Sequence, residues 1–594
     1  MIVQMKKLTL IVTQAGRQDM LNSLRSLGVV HIKNIIKPLS ENMNDVEDEL
    51  AKAHQAISVL AEYQVKKPAQ PMAWAATGIQ DKLKEIVSLS RELSAARQDI
   101  DRLREEIEYF KPWGGFNPKE IVELVAKGVY INLYILNKNE MRQIADRTDI
   151  NVINQQKNYV YVAHFSKNPY DKLGFKKVSL PEEDFKQVHL RYQNLGQRAG
   201  EIEAILSTNR DALIHIKAYT KDLEKRKKFL GVQYGMGTEK GFSYLQGFLP
   251  EDKQAEVTTL ADTHKAGYLI EEPDRMDEVP TFIKNPRWIE IIKPVFSFMN
   301  TVPGYAEYDI SLWFLLFFSL FFAMLIGDAG YGMLFFVVTF IARKKLKKAP
   351  PQPFFLMYAL SFTTIIWGAI TGTWFGAEYF AQLPVLRSFV IKDISSFAGN
   401  NQNLMIFICF TIGVIQLSIA HLILGFRYLN SLKALSELGW VFILWGLYFI
   451  AGVLVVARPF PGFAPYLLMV GIGLVLFFTS PQKNILKGIG ASLADVPLKI
   501  ISSFGDVVSY LRLFAVGYAS VVLASTFNGM AASVGFDSIL TSLGAALILF
   551  LGHGLNIILG FMAVIVHGVR LNMLEFSGQM SMEWSGKEYA PFKE

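Results

Sequence analysis

The strongest constraint on this chain is the place where its charges stop. Up to about Pro303, charged and apolar residues are mixed; beyond it come long apolar runs with few charges. The chain has 594 residues, 60 Lys+Arg and 53 Asp+Glu, yet it is 51% hydrophobic with a mean hydropathy of +0.25. Position reconciles these figures: a soluble half precedes a membrane half, and the length exceeds one domain. Apolar runs long enough to span lie near 310–327, 329–342, 354–376, 403–424, 436–457, 464–480, 498–527 and 539–575. The first two are short and joined by Gly327-Asp328-Ala329-Gly330-Tyr331-Gly332, which makes them a tight pair with Asp328 as a turn or packing residue. The expected count is eight transmembrane helices.

The loops orient them. Alternate loops at 343–348 (RKKLKK), 426–433 and 480–487 carry the basic residues; the opposite loops hold Arg387, Lys392 and Arg458, and none near 528–538. Lys and Arg are retained on the cytoplasmic side, so both termini are expected in the cytoplasm.

The soluble half reads as a mixed α/β lobe, a helical arm and a second lobe. Residues 6–35 alternate strand, helix, strand. From Val46 apolar residues step by three and four. After a break at Pro68 and Pro71, the series Ile86, Leu89, Leu93, Ala96, Ile100, Leu103, Ile107 and Phe110 forms a heptad seam. A second seam runs from Phe185 through Val188, Tyr192, Leu195, Ala199, Ile202 and Leu206 to Leu230. Two such segments around a small lobe imply an antiparallel coiled coil with that lobe at its tip, and a helix of roughly 45 residues would span about 70 Å. An ordinary helical bundle is the competing reading. The expected division is an arm over 1–303 and a membrane domain over 304–594. Within the arm, the proximal lobe takes 1–40 and 235–300, the coiled coil 41–112 and 184–232, and the distal lobe 113–183.

Several classes are excluded. The arm has no G-x-x-x-x-G-K-[ST], no G-x-G-x-x-G after a strand and no H-E-x-x-H, so no nucleotide, cofactor or metal site is expected. The single cysteine, Cys409, precludes an intrachain disulfide and reads as packing. The opening MIVQMKKLTLIV lacks a cleavage site and reads as a strand. The net charge of +7 has no aromatic-interleaved basic cluster behind it, which argues against nucleic acid.

The last two spans, read at about 30 and 37 residues, exceed the roughly 20 that a perpendicular crossing needs, which implies tilt or extension. They also hold costly residues. Arg512 lies 13 residues after Lys499 and 16 before Asn528. In the eighth span His553, Asn556, Gly560, Ala563, His567 and Arg570 recur at steps of three and four as one stripe. A charge at the bilayer centre costs at least about 2.5–3.5 kcal/mol, and arginine does not escape by deprotonating. Asp506 is the nearest carboxylate on the same helix, roughly 9 Å away by rise. Glu575, five residues after Arg570, does not face it on an α-helix. The counter-charge for Arg512 is therefore expected from another protein. Arg570 near a helix end also fits a snorkelling anchor, and His553 a structural hydrogen-bonding residue.

At these residues the chain resembles the a subunit of V-type ATPases, called subunit I in bacterial and archaeal forms. The resemblance rests on Ser509-Tyr510-Leu511-Arg512-Leu513, His567-x-x-Arg570-Leu571-x-x-x-Glu575-Phe576, Gly327-Asp328-x-Gly330-Tyr331-Gly332 and Tyr589-x-Pro591-Phe592, and covers essentially the whole chain. It implies that Arg512, assisted by Arg570, faces the carboxylate of a rotating proteolipid ring between two offset half-channels for protons or sodium ions. Candidate lining residues are Asp506, Ser509, Ser520, His553, Asn556, His567 and Glu575. It implies peripheral stalk subunits on the arm, other subunits of the ATPase around it, and a multi-pass place in the inner (plasma) membrane of a prokaryote. Relatives of the eukaryotic type carry histidine where Ser520 stands and glutamate where Gly560 stands, so the luminal lining differs here. An ion channel or secondary transporter with a coiled-coil domain is the main alternative, although no repeat relates spans 1–4 to 5–8. A coiled-coil membrane scaffold is another, although it would have no use for Arg512.

Overall fold

The β-branched start of the chain forms strand β1 (Met5–Thr13), with Leu8, Leu10 and Val12 buried at alternating positions and Met5 buried at its start. Helix α1 (Arg17–Leu27) and β2 (His31–Lys33) follow, as the alternation over 6–35 predicts. In this computed structural model, which describes residues 1–63, 76–144, 146–180, 183–274, 276–396, 401–479 and 485–593, contacts divide the chain into two units. One comprises Met1–Leu10, Ser23–Ile32 and Gly247–Lys593; the other Ile11–Asn22 and Lys33–Gln246.

In the second unit the heptad segments become four helices: α2 (Glu41–Ala61), α3 (Ala76–Phe110), α4 (Phe185–Thr208) and α5 (Ala212–Gly235). Ser40 caps α2 by accepting from the Met43 N–H. The pairs run antiparallel: between α2 and α5, Asn42 meets Tyr234 at 3.1 Å and Glu47 meets Lys227 at 2.8 Å, and the end of α3 at Phe110 packs with the start of α4 at Phe185. Farther along α3 and α4, Arg97 meets Glu203 at 2.6 Å and Arg198 meets Glu92 at 2.8 Å. These exposed pairs contribute little energy; the seam is held by Ala53, Ala56, Leu60, Leu83, Ile86, Leu93, Ala199, Ile202 and Leu206. Among the described residues of the arm no helix reaches the expected 45 residues, and α3, at 35, is its longest. A 3-10 turn at Asn209–Asp211 divides α4 from α5. Tyr219 of α5 bonds to both Glu49 and Gln80, so the start of α3 lies beside the middle of α2. Over this stretch three helices pack together, not two. Pro68 and Pro71 lie outside the described residues. The lobe between α3 and α4 is a sheet of β3 (Tyr130–Asn137), β4 (Ile150–Gln155) and β5 (Tyr159–Ser166), antiparallel in the order β3-β5-β4.

The chain then forms β6 (Gly237–Glu239), β7 (Phe242–Pro250), β8 (Gly267–Glu271) and β9 (Pro280–Thr281). The sheet order is β2-β7-β1-β8, with β6 on β7. The end of the chain returns here. Strand β10 (Lys587–Glu588) pairs parallel with β9, the Tyr589 hydroxyl donates to the Val29 carbonyl, and the Phe592 N–H donates to Val30 O at 2.8 Å. The Ala590 N–H donates to His31 Nδ1 at 3.1 Å. The motif Tyr589-x-Pro591-Phe592 is thus a clasp on the first lobe.

The apolar runs become helices α6 (Ser311–Ile326), α7 (Ala329–Lys345), α8 (Gln352–Thr371), α9 (Gln402–Arg427), α10 (Lys433–Val456), α11 (Ala464–Phe478), α12 (Ile485–Ser509), α13 (Leu511–Val534) and α14 (Ile539–Ala563). Residues 480–484 of the expected basic loop lie outside the described residues. By length and composition, five stretches can cross a membrane: Gln352–Thr371, Gln402–Arg427, Lys433–Val456, Asp495–Val534 and Ile539–Gln579. A sixth is possible if the bent pair Ser311–Ile326 and Ala329–Lys345 counts as one. Ala464–Phe478 is shorter. The last two stretches run 40 and 41 residues, longer than the 30 and 37 expected, because the helix continues through the polar flanks.

The tight pair is real: α6 and α7 meet at a 119° bend. Gly327 takes a left-handed φ of 67° there, a region that glycine enters without steric cost. Asp328 Oδ1 accepts from the Gly330 and Tyr331 N–H groups at 2.7 and 3.2 Å and from Phe375 at 2.8 Å; Oδ2 accepts from Gly376 at 2.8 Å. One buried carboxylate therefore caps α7 and ties down the loop after α8.

Candidate functional site

Arg512 stands one residue past a break. Tyr510 interrupts the helix between α12 and α13, and the Leu513 N–H bonds to Tyr510 O at 3.0 Å, three residues back. The Ser509 carbonyl, which a continuous α-helix would give to Leu513, instead accepts from Arg512 Nε at 3.0 Å. Tyr510 is wholly buried and its hydroxyl donates to Gln416 Oε1 at 2.9 Å. Gln416 Nε2 donates to Asn572 Oδ1 at 2.9 Å. The break is thus braced from α9 and from the end of the chain's last long helix.

That last helix supplies Arg512 with a partner inside the chain, in addition to the one expected from another protein. Arg512 Nη2 donates to Glu575 Oε1 at 2.7 Å, and Arg570 Nε lies 3.6 Å from the same oxygen. The expectation that Glu575 faces away from Arg570 assumed α-helical winding. After α14 the helix passes through two π-turns, Val564–Gly568 and Leu571–Phe576. In π-winding the residues five apart are the neighbours, so Arg570 and Glu575 share a face. The same change of phase breaks the expected stripe: Asn556 and Gly560 are buried, whereas Arg570 is turned out and about half exposed (52%).

The charge count is uneven. Two guanidinium groups share one carboxylate that is nearly buried (4% exposed), leaving one positive charge over. Arg512 itself keeps 25% of its side chain exposed. On apolar helices such a charge requires a partner or a water path.

Two chains of polar side chains run to opposite sides of Arg512 along the helix. Toward α12, Asp506 Oδ2 accepts from Gln579 Nε2 at 2.6 Å. Gln579 Oε1 lies 3.0 Å from His421 Nε2, and His421 Nδ1 lies 2.7 Å from Glu437 Oε2. Toward the far end of α13, Ser520 Oγ donates to Asn556 Oδ1 at 3.0 Å and Asn556 Nδ2 donates to the Tyr331 hydroxyl at 3.1 Å. That hydroxyl lies 2.7 Å from His553 Nδ1, and His553 Nε2 lies 3.1 Å from Asn528 Oδ1.

The structure therefore gathers Arg512, Ser509, Arg570 and Glu575 into one cluster, Ser520, Asn556 and His553 into a second, and places Asp506 in a third. His567 Nδ1 is buried with no hydrogen-bond partner among the described residues. Gly560 sits where a Cβ would come within 2.8 Å of the Ile326 side chain, so the position is closed by packing against α6. Sequence reasoning missed Gln416, His421, Glu437, Gln579, Tyr331 and Asn528. Gln416 and His421 were visible as polar residues inside an apolar run; the others lie at span ends, where polarity carries no signal.

No family model matches the chain. It is 33% identical to "V-type ATP synthase subunit I" of Borreliella burgdorferi, covering 100% of this chain and 99% of that one. It is 30% identical to "V-type ATP synthase subunit I 1" of Treponema pallidum over 100% of both. The chain belongs to the V/A-type ATP synthase subunit I family. The similarity extends to archaea: "A-type ATP synthase subunit I" of Methanocaldococcus jannaschii is 27% identical over 67% of this chain and 63% of its own length.

Proposed function

We propose that this chain is the stationary, ion-conducting subunit in the membrane sector of a rotary ATPase. The observation that carries the reading is the one surplus guanidinium charge, partly exposed where two polar chains approach Arg512 from opposite sides. A ring carboxylate of a small proteolipid supplies the missing negative charge. The chain of Asp506, Gln579, His421 and Glu437 is one half-channel, opening to the cytoplasm beside the basic residues at Arg427 and Lys433. The chain of Ser520, Asn556, Tyr331, His553 and Asn528 is the other, opening to the opposite side.

A proton or sodium ion enters one half-channel and neutralises a ring carboxylate, which then turns into lipid. After nearly a full turn it reaches the other half-channel and releases the ion. Arg512 holds the ionised carboxylate and blocks direct passage, because a permanent cation between the two routes repels the ion. Eight crossings with both termini in the cytoplasm fit this path, and the 41-residue last stretch suits a tilted helix. The α2–α5 arm serves as an antiparallel coiled-coil strut for peripheral stalk subunits in a prokaryotic plasma membrane.

The test is the assembled complex. Arg512→Ala is expected to assemble with the proteolipid and the soluble ATPase subunits yet abolish ATP-driven ion uptake into vesicles. Transport near the normal rate in that variant would refute the assignment.

A further inference from the structure

The arginine–carboxylate pair is built in an unusual way. Structural pairs of this kind usually join two N–H groups to both carboxylate oxygens. Here Glu575 offers one oxygen, Oε1, to both Arg512 at 2.7 Å and Arg570 at 3.6 Å. Its other oxygen, Oε2, is buried with no hydrogen-bond partner among the described residues. A buried carboxylate oxygen left so is costly, and fork pairing with Arg512 would relieve the cost. The π-turn at Leu571–Phe576 holds Glu575 in this half-used position. Among the described residues, Arg512 meets only Ser509 O and Glu575 Oε1 as acceptors, so N–H groups of its partly exposed guanidinium remain for a further carboxylate.

We infer that Glu575 is an exchange partner for Arg512: it holds the arginine between passing ring sites and draws it off each ring carboxylate in turn. The inference rests on the stator reading above. When Arg512 swings to a ring carboxylate, Glu575 keeps Arg570 as its ion-pair partner, so no bare charge is left inside the chain. When the ring site takes up its ion and becomes neutral, Glu575 recovers Arg512. The two arginines and two carboxylates, one from each protein, balance, and transfer of Arg512 between them creates no net charge. Glu575 is a positioning residue in this scheme, since it acts through Arg512 and touches neither ion nor ring.

Removing the carboxylate charge should leave Arg512 gripping each ring site for longer. In the assembled complex, Glu575→Gln is expected to slow ATP hydrolysis and ATP-driven ion uptake in parallel, by about tenfold, the weight of one hydrogen bond to a charged group. Passive ion leak through de-energised vesicles should stay at the wild-type level, and Glu575→Asp should recover most of the turnover. Normal turnover in Glu575→Gln would overturn the inference, and so would raised leak with hydrolysis unimpaired, which marks a residue that only seals the barrier. Should Glu575→Gln fail to assemble, the double variant Glu575→Gln/Arg570→Gln restores the net charge of the cluster and is compared with Arg570→Gln alone. Slower turnover in the double variant supports the exchange, and equal turnover overturns it. The Arg512→Ala control separates the two ideas: if it abolishes transport while Glu575→Gln turns over normally, only the exchange fails.

Discussion

The two polar chains that flank Arg512 differ in kind. The one through Asp506, Gln579, His421 and Glu437 has a carboxylate at each end and joins residues from α9, α10, α12 and the chain's last turns. The one through Ser520, Asn556, Tyr331, His553 and Asn528 contains hydroxyls, amides and one imidazole, and no carboxylate among its members. A route with carboxylates can itself carry an ion's charge, or take up and release a proton. A route of hydroxyls, amides and one imidazole has no fixed negative charge, and relays protons along hydrogen bonds and through the imidazole or orders water. On the proposed reading, ions are handed on by charge on one side and by hydrogen-bond geometry on the other.

The comparison breaks most completely if the second route has no scaffold. Asp328 accepts four backbone N–H groups where α7 begins, next to Tyr331. Asp328→Ala leaves buried donors unpaired and is expected to cost at least about 3 kcal/mol, seen as a lower melting temperature in detergent and little folded subunit. A normal melt would mean that the bend holds without its cap. Next in size is a paired measurement. Asp506→Asn keeps the shape and removes the charge, and should lower ATP-driven transport by about tenfold or more if that group passes protons. Tyr331→Phe removes one hydroxyl from a neutral chain and should cost only about threefold, the weight of a neutral hydrogen bond. Equal losses would erase the distinction between the routes.

The smallest effect lies outside both. Burial holds the His31 imidazole below its ordinary pKa of 6.5, and its neutral Nδ1 accepts from Ala590. Unfolded chain thus binds this proton more readily than folded chain does. The clasp keeps its full contribution above pH 6.5 and loses it as pH falls from there through the lowered folded value, by about 1.4 kcal/mol per pKa unit of separation. Hydrogen exchange at Ala590 should accelerate over that interval relative to neighbouring amides after correction for intrinsic rates. His31→Gln should remove the extra step, whereas an unchanged step would assign it elsewhere.

Much of this was legible from composition alone. Arg512, the bent Gly327-Asp328 turn and the apolar segments stand out because a polar residue in a membrane helix is costly and therefore rare. The Arg570–Glu575 pairing was not legible, because spacing was converted to direction with 3.6 residues per turn and the helix there winds wider. His421 and Glu437 escaped for another reason. His421 meets Gln579 from a different part of the chain and Glu437 meets His421, and the pattern of one helix says nothing about its neighbours. In the arm, the heptads predicted the helices and their antiparallel pairing, but not that α3 begins alongside α2, since the connecting stretch breaks the period.

The terminal clasp has a consequence for how the protein is made. Tyr589 bonds to Val29 across 560 residues of sequence, and Phe592 adds a bond to Val30. At roughly 5–20 residues per second on the ribosome, the first lobe waits on the order of half a minute to two minutes for the residues that close it. Until then the edge that receives them stays open, while every membrane helix between is being inserted. The lobe thus emerges long before the residues that close it, and its closure reports that the span between has been threaded through.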